Sequence, residues 1–400
     1  MSQDTDRFVD SIPFLSFQQN RILKEHAADM FLWQGIQFQE LWGSCENTKN
    51  EVRKNYNRVI KIIENFRSRP IDYSDFNPSF DFKGKGATIV PDFKAPETIM
   101  GRCPCPSEDP VLRCCNLKTL DAVQQCAFAC AYCSIQSFYS KNEIRVVSDL
   151  EEKLNSLILD KDVWHIGTGQ SSDSLLLGDD YNTISALCSF ASSNPTVVIE
   201  LKTKCGRTDW IKDSIPKNII STWSLNAETI CNKEEHLAAS QNARISAAIK
   251  CSEAGHLVGF HIHPMVYFEG WQNEYKALVE KLTSSVNPDM VVMVGMGSLT
   301  FTKQNLRTLR ESGRPTRVTQ IPLTPIAGKY SYSNEIKKEM FSYVYSLFPQ
   351  EWKDKVFFYL CMEDKALWKP CLGREYQSNA DFEQDMKTRY LAKIKSISMV

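Results

Sequence analysis

Three cysteines fall within eight residues at Cys126-Ala-Phe-Ala-Cys130-Ala-Tyr-Cys133. Thiols this close in sequence can wrap one iron-sulfur cubane from a single loop, and their number sets the chemistry. Four cysteines saturate a four-iron cluster for electron transfer, whereas three leave one iron open to bind a substrate or cosubstrate. A zinc site completed by a distant residue and cysteines that simply pack in a core stand as alternatives. Just upstream, Cys103, Cys105, Cys114 and Cys115 could hold zinc or an auxiliary cluster. Adjacent Cys114 and Cys115 suit that poorly, because successive side chains diverge. Fourteen cysteines follow a start, MSQDTDRFVDSIPFLSF, that has acidic residues where an export signal carries basic ones. A reducing, cytoplasmic setting is therefore expected, with thiols as ligands, reactive groups or buried small residues rather than disulfides.

The elements that must position these thiols show in the apolar pattern. At 400 residues the chain is long enough for two or three units or for one barrel with extensions. No apolar run approaches the roughly 18 to 20 residues that a membrane span needs, so no membrane association is expected. A formal charge of -1 gives no global attraction to nucleic acid, which would need a local basic surface. Short apolar runs predict strands at Val163–Gly167, Thr196–Thr203, Ile219–Leu225, Leu257–Met265 and Met290–Gly295. Helix-like stretches lie between them near Leu150–Leu159, Tyr181–Ala191, Glu234–Ala254 and Asn273–Thr283. With a strand leading into the cysteine triplet, the alternation gives about six repeats. The expected fold is α/β, a partial (β/α)6 TIM-type barrel with N-terminal and C-terminal extensions. Residues 1–115 read as a partly helical accessory segment, 116–345 as the barrel, and 346–400 as a strand and helix extension.

Downstream of the triplet, several motifs follow the expected strands. They are Gly167-Thr-Gly-Gln-Ser-Ser-Asp173, Thr203-Lys204, Ser224-Leu-Asn226, Ala254-Gly-His-Leu-Val-Gly-Phe260 with Pro264 and Glu269-Gly-Trp271, and Gly328-Lys329-Tyr330 with Tyr332. Together they resemble the spore photoproduct lyase family of radical S-adenosylmethionine (SAM) enzymes, from about Cys114 to Phe348. The resemblance implies a [4Fe-4S] cluster on Cys126, Cys130 and Cys133, whose open iron takes the amino and carboxylate groups of SAM. It implies that Tyr132 lies near the adenine, that the Ser172-Asp173 segment serves the SAM amino group, and that Lys204 pairs with the SAM carboxylate. Ser224 and Asn226 would serve the carboxylate or ribose. These positions fall at C-terminal strand ends, where parallel barrels place their chemistry.

Two departures bear on the reaction. The family carries a cysteine as hydrogen-atom donor two residues before the Ser of Ser-Asp, and here that position is Gln170, whose amide cannot give up a hydrogen atom as a thiol does. Ser134 replaces the family's tyrosine after the third cluster cysteine. Cys205, next to Lys204, is a candidate replacement donor if it faces the cavity. His165, His261 and His263 could line a polar lumen, either for substrate or as structural hydrogen bonds. Arg310, Arg314, Arg317, Lys329, Lys337 and Lys338 could form a cationic rim, with Tyr330 and Tyr332 to stack on bases. The Gly167–Gly169 turn lacks the Gly-Lys-Ser/Thr of a phosphate loop.

The expected function is reductive SAM cleavage followed by hydrogen abstraction, with a thymine photoproduct in DNA as the substrate the resemblance implies and flavodoxin or ferredoxin as electron donor. The same fold acting on another nucleic acid, a peptide or a small molecule is one alternative. A non-catalytic metal-binding protein is another.

Overall fold

The computed structural model describes residues 3–44, 46–78, 87–95, 98–103, 109–138 and 142–398, and Cys105 lies outside them. In chain order the described strands are β1 (Thr88–Phe93), β2 (Met100–Arg102), β3 (Lys118–Leu120), β4 (Val123–Gln124), β5 (Glu143–Val147), β6 (His165–Thr168) and β7 (Val198–Thr203). They continue with β8 (Ile219–Leu225), β9 (Leu257–Met265), β10 (Val291–Ser298), β11 (Thr324–Ile326), β12 (Lys329–Ser331) and β13 (Phe357–Leu360). Eight of them form one curled sheet in the order β13-β10-β9-β8-β7-β6-β3-β2. All neighbours in it are parallel except the β2–β3 pair. Both faces of a parallel sheet are covered, so β8 and β10 are buried along their whole length.

The six repeats expected from the sequence correspond to β3 and β6 through β10. β13, from the segment after residue 345, extends one edge of the sheet, and β2, from before residue 116, closes the other. β4, the strand directly ahead of the triplet, belongs instead to a small sheet of order β1-β5-β4. The C-terminal helix Asn379–Ser398 crosses the base of this half-barrel. Its Tyr390 ring packs edge-on against Trp164, just before β6, and against Phe357, at the start of β13. Its Glu383 accepts a 3.0 Å bond from the Trp164 indole.

One expected helix does not form as read. In place of a helix over Glu234–Ala254, a short helix ends at Lys233 and another spans Gln241–Glu253, capped by the Ser240 hydroxyl accepting from the Ala243 N–H. Glu234 and Glu235 lie between them and are buried. Glu234 accepts from the Tyr73 and Thr316 hydroxyls and the Arg317 N–H at 2.6–2.9 Å. These long-range bonds outweigh the local helical pattern.

The N-terminal helices have their own core, built on Leu23, Trp33, Phe38, Val52, Val59 and Ile63. Asp29, on the helix Phe17–Gln34, fastens that unit to the barrel. Its fully buried carboxylate takes two 2.9 Å bonds from Arg310 and one of 2.7 Å from Arg67. Burial would raise its pKa, but Arg310, the His26 hydrogen bond and Arg67 outweigh burial and hold it below the usual range. Trp33 adds a 2.7 Å bond to Thr319. Removing the carboxylate would leave two guanidinium groups without their buried counter-charge. Asp29→Ala is therefore expected to lower unfolding free energy by about 3–5 kcal/mol in a denaturant titration; a loss under about 1 kcal/mol would show that the junction rests on apolar packing instead.

Candidate active site

The triplet occupies the loop after β4. The chain reaches the left-handed region at Gln125 (φ 71°) and again at Ala129 (φ 53°), and these turns coil it tightly around Cys126. The Phe128 N–H donates to the Cys126 sulfur at 3.5 Å, and the Cys133 N–H donates to the Cys130 carbonyl at 3.1 Å. The Ala131 N–H donates to the Glu234 carbonyl at 2.8 Å, and Cys130 bridges Glu235. Burial pushes the Cys126 and Cys130 thiols up; Asp173, Cys133 and Cys130 add to it at Cys126, and Glu235 and Cys133 add to it at Cys130, with Lys204 acting against them. Among the described residues no three His, Cys, Asp or Glu side chains converge on a single ion position. A cubane carries each thiolate on a different iron and asks for a looser set. The three-thiol donor set and the N–H aimed at a sulfur fit such a cluster.

Glu235 is the hub behind the triplet. Its carboxylate accepts from the Tyr132 hydroxyl and from Lys204 Nζ at 2.7 Å and forms an ion pair with the Arg244 guanidinium, and it is buried, as is Arg244. Lys204 Nζ also reaches the Tyr132 hydroxyl at 2.8 Å and sits over that ring, 5.2 Å from its centroid. Burial would raise the Glu235 pKa, but Lys204 and Arg244 outweigh it and hold the carboxyl at about 2. Arg244 also donates to the Ser224 carbonyl at 3.0 Å, so one network joins the triplet loop to the ends of β7 and β8.

The other residues singled out from the sequence divide by what they touch. Asp173 is buried and accepts from the Leu175 N–H, the Thr203 hydroxyl and the Lys204 N–H at 2.7–3.1 Å, fastening the loop after β6 to the end of β7. Ser172 beside it is buried, and Ser224 is buried at the end of β8. The Asn226 amide donates to the Pro264 carbonyl and accepts from Tyr275 Oη, both at 2.8 Å, and from the Ala227 N–H. Asp173 and Asn226 thus pin strand ends together, while Tyr132 and Lys204 stand beside the triplet. Lys204 keeps one of its three N–H donors beyond those given to Tyr132 and Glu235.

Glu200 and Lys202 alternate onto the lumen. Cys205 lies two residues past the end of β7 and is buried, its N–H donating to the Thr203 hydroxyl at 2.8 Å. The Cys205 sulfur accepts from the Arg207 N–H at 3.4 Å, and its carbonyl accepts from the Trp223 indole. The Gln170 side chain folds over Gly167, where a Cβ would meet Gln170 Nε2 at 2.7 Å and Leu117 at 2.9 Å. With its amide nitrogen turned toward them, it donates to the Gly167 and Thr168 carbonyls at 3.1 Å. Gly169 (φ 83°) leaves no room for a side chain either, since a Cβ there would lie 2.6 Å from the Lys202 carbonyl.

Deeper in the lumen, Glu200 joins His165 (3.0 Å), His261 (2.7 Å) and Thr222 (2.7 Å). Burial and Lys202 push His261 down to about 4, so it is neutral at physiological pH. Of the basic residues grouped as a rim, Arg317 and Lys337 are buried in ion pairs with Asp75 and Glu363, and Arg310 is held by Asp29 and Glu25. Tyr332 is buried, its hydroxyl accepting from the Tyr267 N–H. A hydrogen bond with Cys114, burial and the nearby Cys361 and Cys103 push the Cys115 thiol up, and burial with Cys103 and Cys114 pushes up Cys361, just beyond β13, so the upstream cysteines lie near a thiol from that strand's end. Glu235 and Arg244 were missed in the sequence, and the adjacent Glu234-Glu235 pair was the only local signal.

The model of the family described as spore photoproduct lyase matches residues 119–352, more than half of the chain. The chain belongs to the spore photoproduct lyase family. Spore photoproduct lyase of Bacillus subtilis (strain 168) is 34% identical over 68 residues, 17% of this chain and 20% of the Bacillus protein, so that match spans about a fifth of the relative's length. Among solved structures, a spore photoproduct lyase variant with bound AdoMet and dinucleoside spore photoproduct superposes with a TM-score of 0.56 at 18% identity, covering 72% of this chain and 88% of that one. A spore photoproduct lyase complexed with dinucleoside spore photoproduct gives 0.52 at 19% identity, over 61% and 76%. These structures show the shared fold, a partial barrel. The family's cofactors are a [4Fe-4S] cluster and SAM, and the triplet and its surroundings fit them.

The Glu235 network gives a stability test with a defined sign. Its carboxyl sits at about 2 in the folded protein against an ordinary 4.5, so its contribution is fully present above pH 4.5 and is lost as pH falls from 4.5 toward 2. Glu235→Gln is expected to destabilise the protein at neutral pH by roughly 3 kcal/mol. In urea titrations across this range, the variant should lose less stability on acidification than the parent; parallel pH profiles would contradict the assignment.

Proposed function

We propose that this chain is a radical SAM enzyme that abstracts hydrogen from a nucleic-acid substrate at the mouth of the half-barrel, with a thymine photoproduct in DNA as the substrate its family membership favours. The observation that carries the reading is the three-cysteine loop tied through Glu235 to Lys204 at the C-terminal end of β7, within a chain whose central 234 residues, 119–352, match the family.

Cys126, Cys130 and Cys133 would hold the cluster. When reduced, the cluster supplies the electron that cleaves the SAM carbon-sulfur bond to give a 5'-deoxyadenosyl radical. Tyr132 is proposed to line the adenine and Lys204 to offer its remaining N–H to the SAM carboxylate, while Glu235 fixes both side chains. Ser172 and Ser224 are proposed as further SAM contacts. Asp173 and Asn226 act one step back, holding the strand ends that carry those groups. Neutral His261 and the Glu200 network keep the lumen polar beneath the mouth. An external protein such as flavodoxin or ferredoxin would deliver the electron.

Gln170 favours a second reading of the final step. The family's donor thiol is absent at that position, and the buried Cys205 sulfur accepts from the Arg207 N–H. The same initiation chemistry could therefore end on a different substrate. The deciding assay is anaerobic incubation of reconstituted, reduced enzyme with SAM and an oligonucleotide carrying the photoproduct. The expected result is 5'-deoxyadenosine formation and loss of the lesion, both abolished by alanine at Cys126, Cys130 or Cys133. Deoxyadenosine release with the lesion intact would move the enzyme to another substrate, and zinc in place of iron would remove the radical reading altogether.

A further inference from the structure

A cleft of about 630 Å³ opens between the N-terminal helix Phe17–Gln34 and the helix Lys303–Ser312 that follows β10. Five basic side chains line it, Arg21, Lys24, Lys303, Arg307 and Arg310, against two carboxylates, Glu25 and Glu311. Two of the cations are held inside the protein, Arg310 by Asp29 and Glu25, and Lys24 by Asp10 at 2.8 Å. Among the described residues, Arg21 has only a loose 3.9 Å pair with Glu25, and Arg307 only an exposed pair one turn along its helix with Glu311. Such exposed pairs contribute little, so both side chains can turn to a ligand at little cost. Lys303 is exposed, with no partner among the described residues, in a first helical turn that has no acidic residue. A cation there opposes its own helix dipole, which is a disadvantage unless an anion arrives.

The remaining wall is the β11–β12 hairpin. Phe301 and Tyr330 exchange two backbone bonds of 2.8 Å, which clamp the hairpin onto the start of the Lys303–Ser312 helix and put the half-buried Tyr330 ring in the cleft. Lys329 precedes it on the same strand and points the opposite way. Its Nζ lies 3.7 Å from the Met362 sulfur, just beyond β13, and its charge reaches His263 on β9. One strand thus faces the cleft on one side and the barrel mouth on the other.

We infer that this cleft seats the phosphodiester backbone of the nucleic-acid strand flanking the residue delivered to the barrel mouth, with Arg21, Lys303 and Arg307 on phosphates and Tyr330 stacked on a base. The inference rests on the nucleic-acid reading given above and assigns that substrate a path. A polyanion fits the cation excess, and a strand fits better than an isolated anion because the charges are spread over two helices with an aromatic ring between them and the mouth. The helix Phe17–Gln34 lies outside the region matched by the family model, so this surface is built by the junction of the N-terminal unit with the barrel.

The test is fluorescence anisotropy with a labelled, lesion-free DNA strand about 12 nucleotides long, across a salt series. Lys303→Glu/Arg307→Glu should weaken binding at least tenfold, and the plot of log affinity against log salt should flatten by about 0.7 for each phosphate no longer neutralised. Tyr330→Ala should weaken binding roughly fivefold or more with the slope unchanged. Lys161→Glu, an exposed reversal outside the cleft, should change little and controls for net charge. Unchanged affinity in the double reversal, an equal loss in Lys161→Glu, or no strand binding at low salt would each overturn the inference. Binding with the expected slope change in a protein that leaves the lesion intact supports the cleft and overturns the photoproduct reading. Lesion turnover with binding untouched by the reversals overturns the cleft alone.

Discussion

The arrangement around the triplet depends on one buried carboxylate. Glu235 lies in a non-helical turn and binds Lys204 from the end of β7, Arg244 from the helix Gln241–Glu253 and the Tyr132 hydroxyl from within the cysteine loop. Desolvating these charges is costly, and the arrangement holds because each has its counterpart. The result is a loop with little regular structure fixed against the rigid C-terminal edge of the barrel. That is what a three-thiolate site needs, since its fourth iron position must stay open without the loop collapsing onto it.

The same device recurs in the rest of the molecule. Parallel strands buried on both faces form a wall whose lumen is polar at Glu200, His165 and His261 and cationic toward the mouth at Lys202 and Lys204. Asp29 attaches the N-terminal helices with a second buried carboxylate flanked by two arginines. That attachment makes the helices part of the surface around the mouth.

The fold was legible where the pattern is local. Continuous apolar runs such as Ile219–Leu225 and Leu257–Met265 coincide with β8 and β9 because parallel strands hide both faces. The triplet stood out because its three cysteines sit on one short loop. Illegible were the partners brought in from far along the chain. Glu235 and Arg244 read as residues of one helix, and only the folded structure turns them onto Lys204 and Tyr132. Arg310, Arg317 and Lys337 read as a basic rim, but Asp29, Asp75 and Glu363 hold them in ion pairs that no local spacing announces. The bonds by which Asp173 and Asn226 hold strand ends together were not legible either.

A four-iron cluster on the triplet, with one iron open to SAM, is the centre on which the proposed chemistry turns. Electron paramagnetic resonance of the anaerobically reconstituted, reduced protein tests it most directly, with and without SAM and with no other substrate present. Cys126, Cys130 and Cys133 as the only protein ligands predict a reduced-cluster signal whose g-values shift when SAM is added. A signal indifferent to SAM would mean a saturated, electron-transfer type of cluster and would contradict the open-iron assignment.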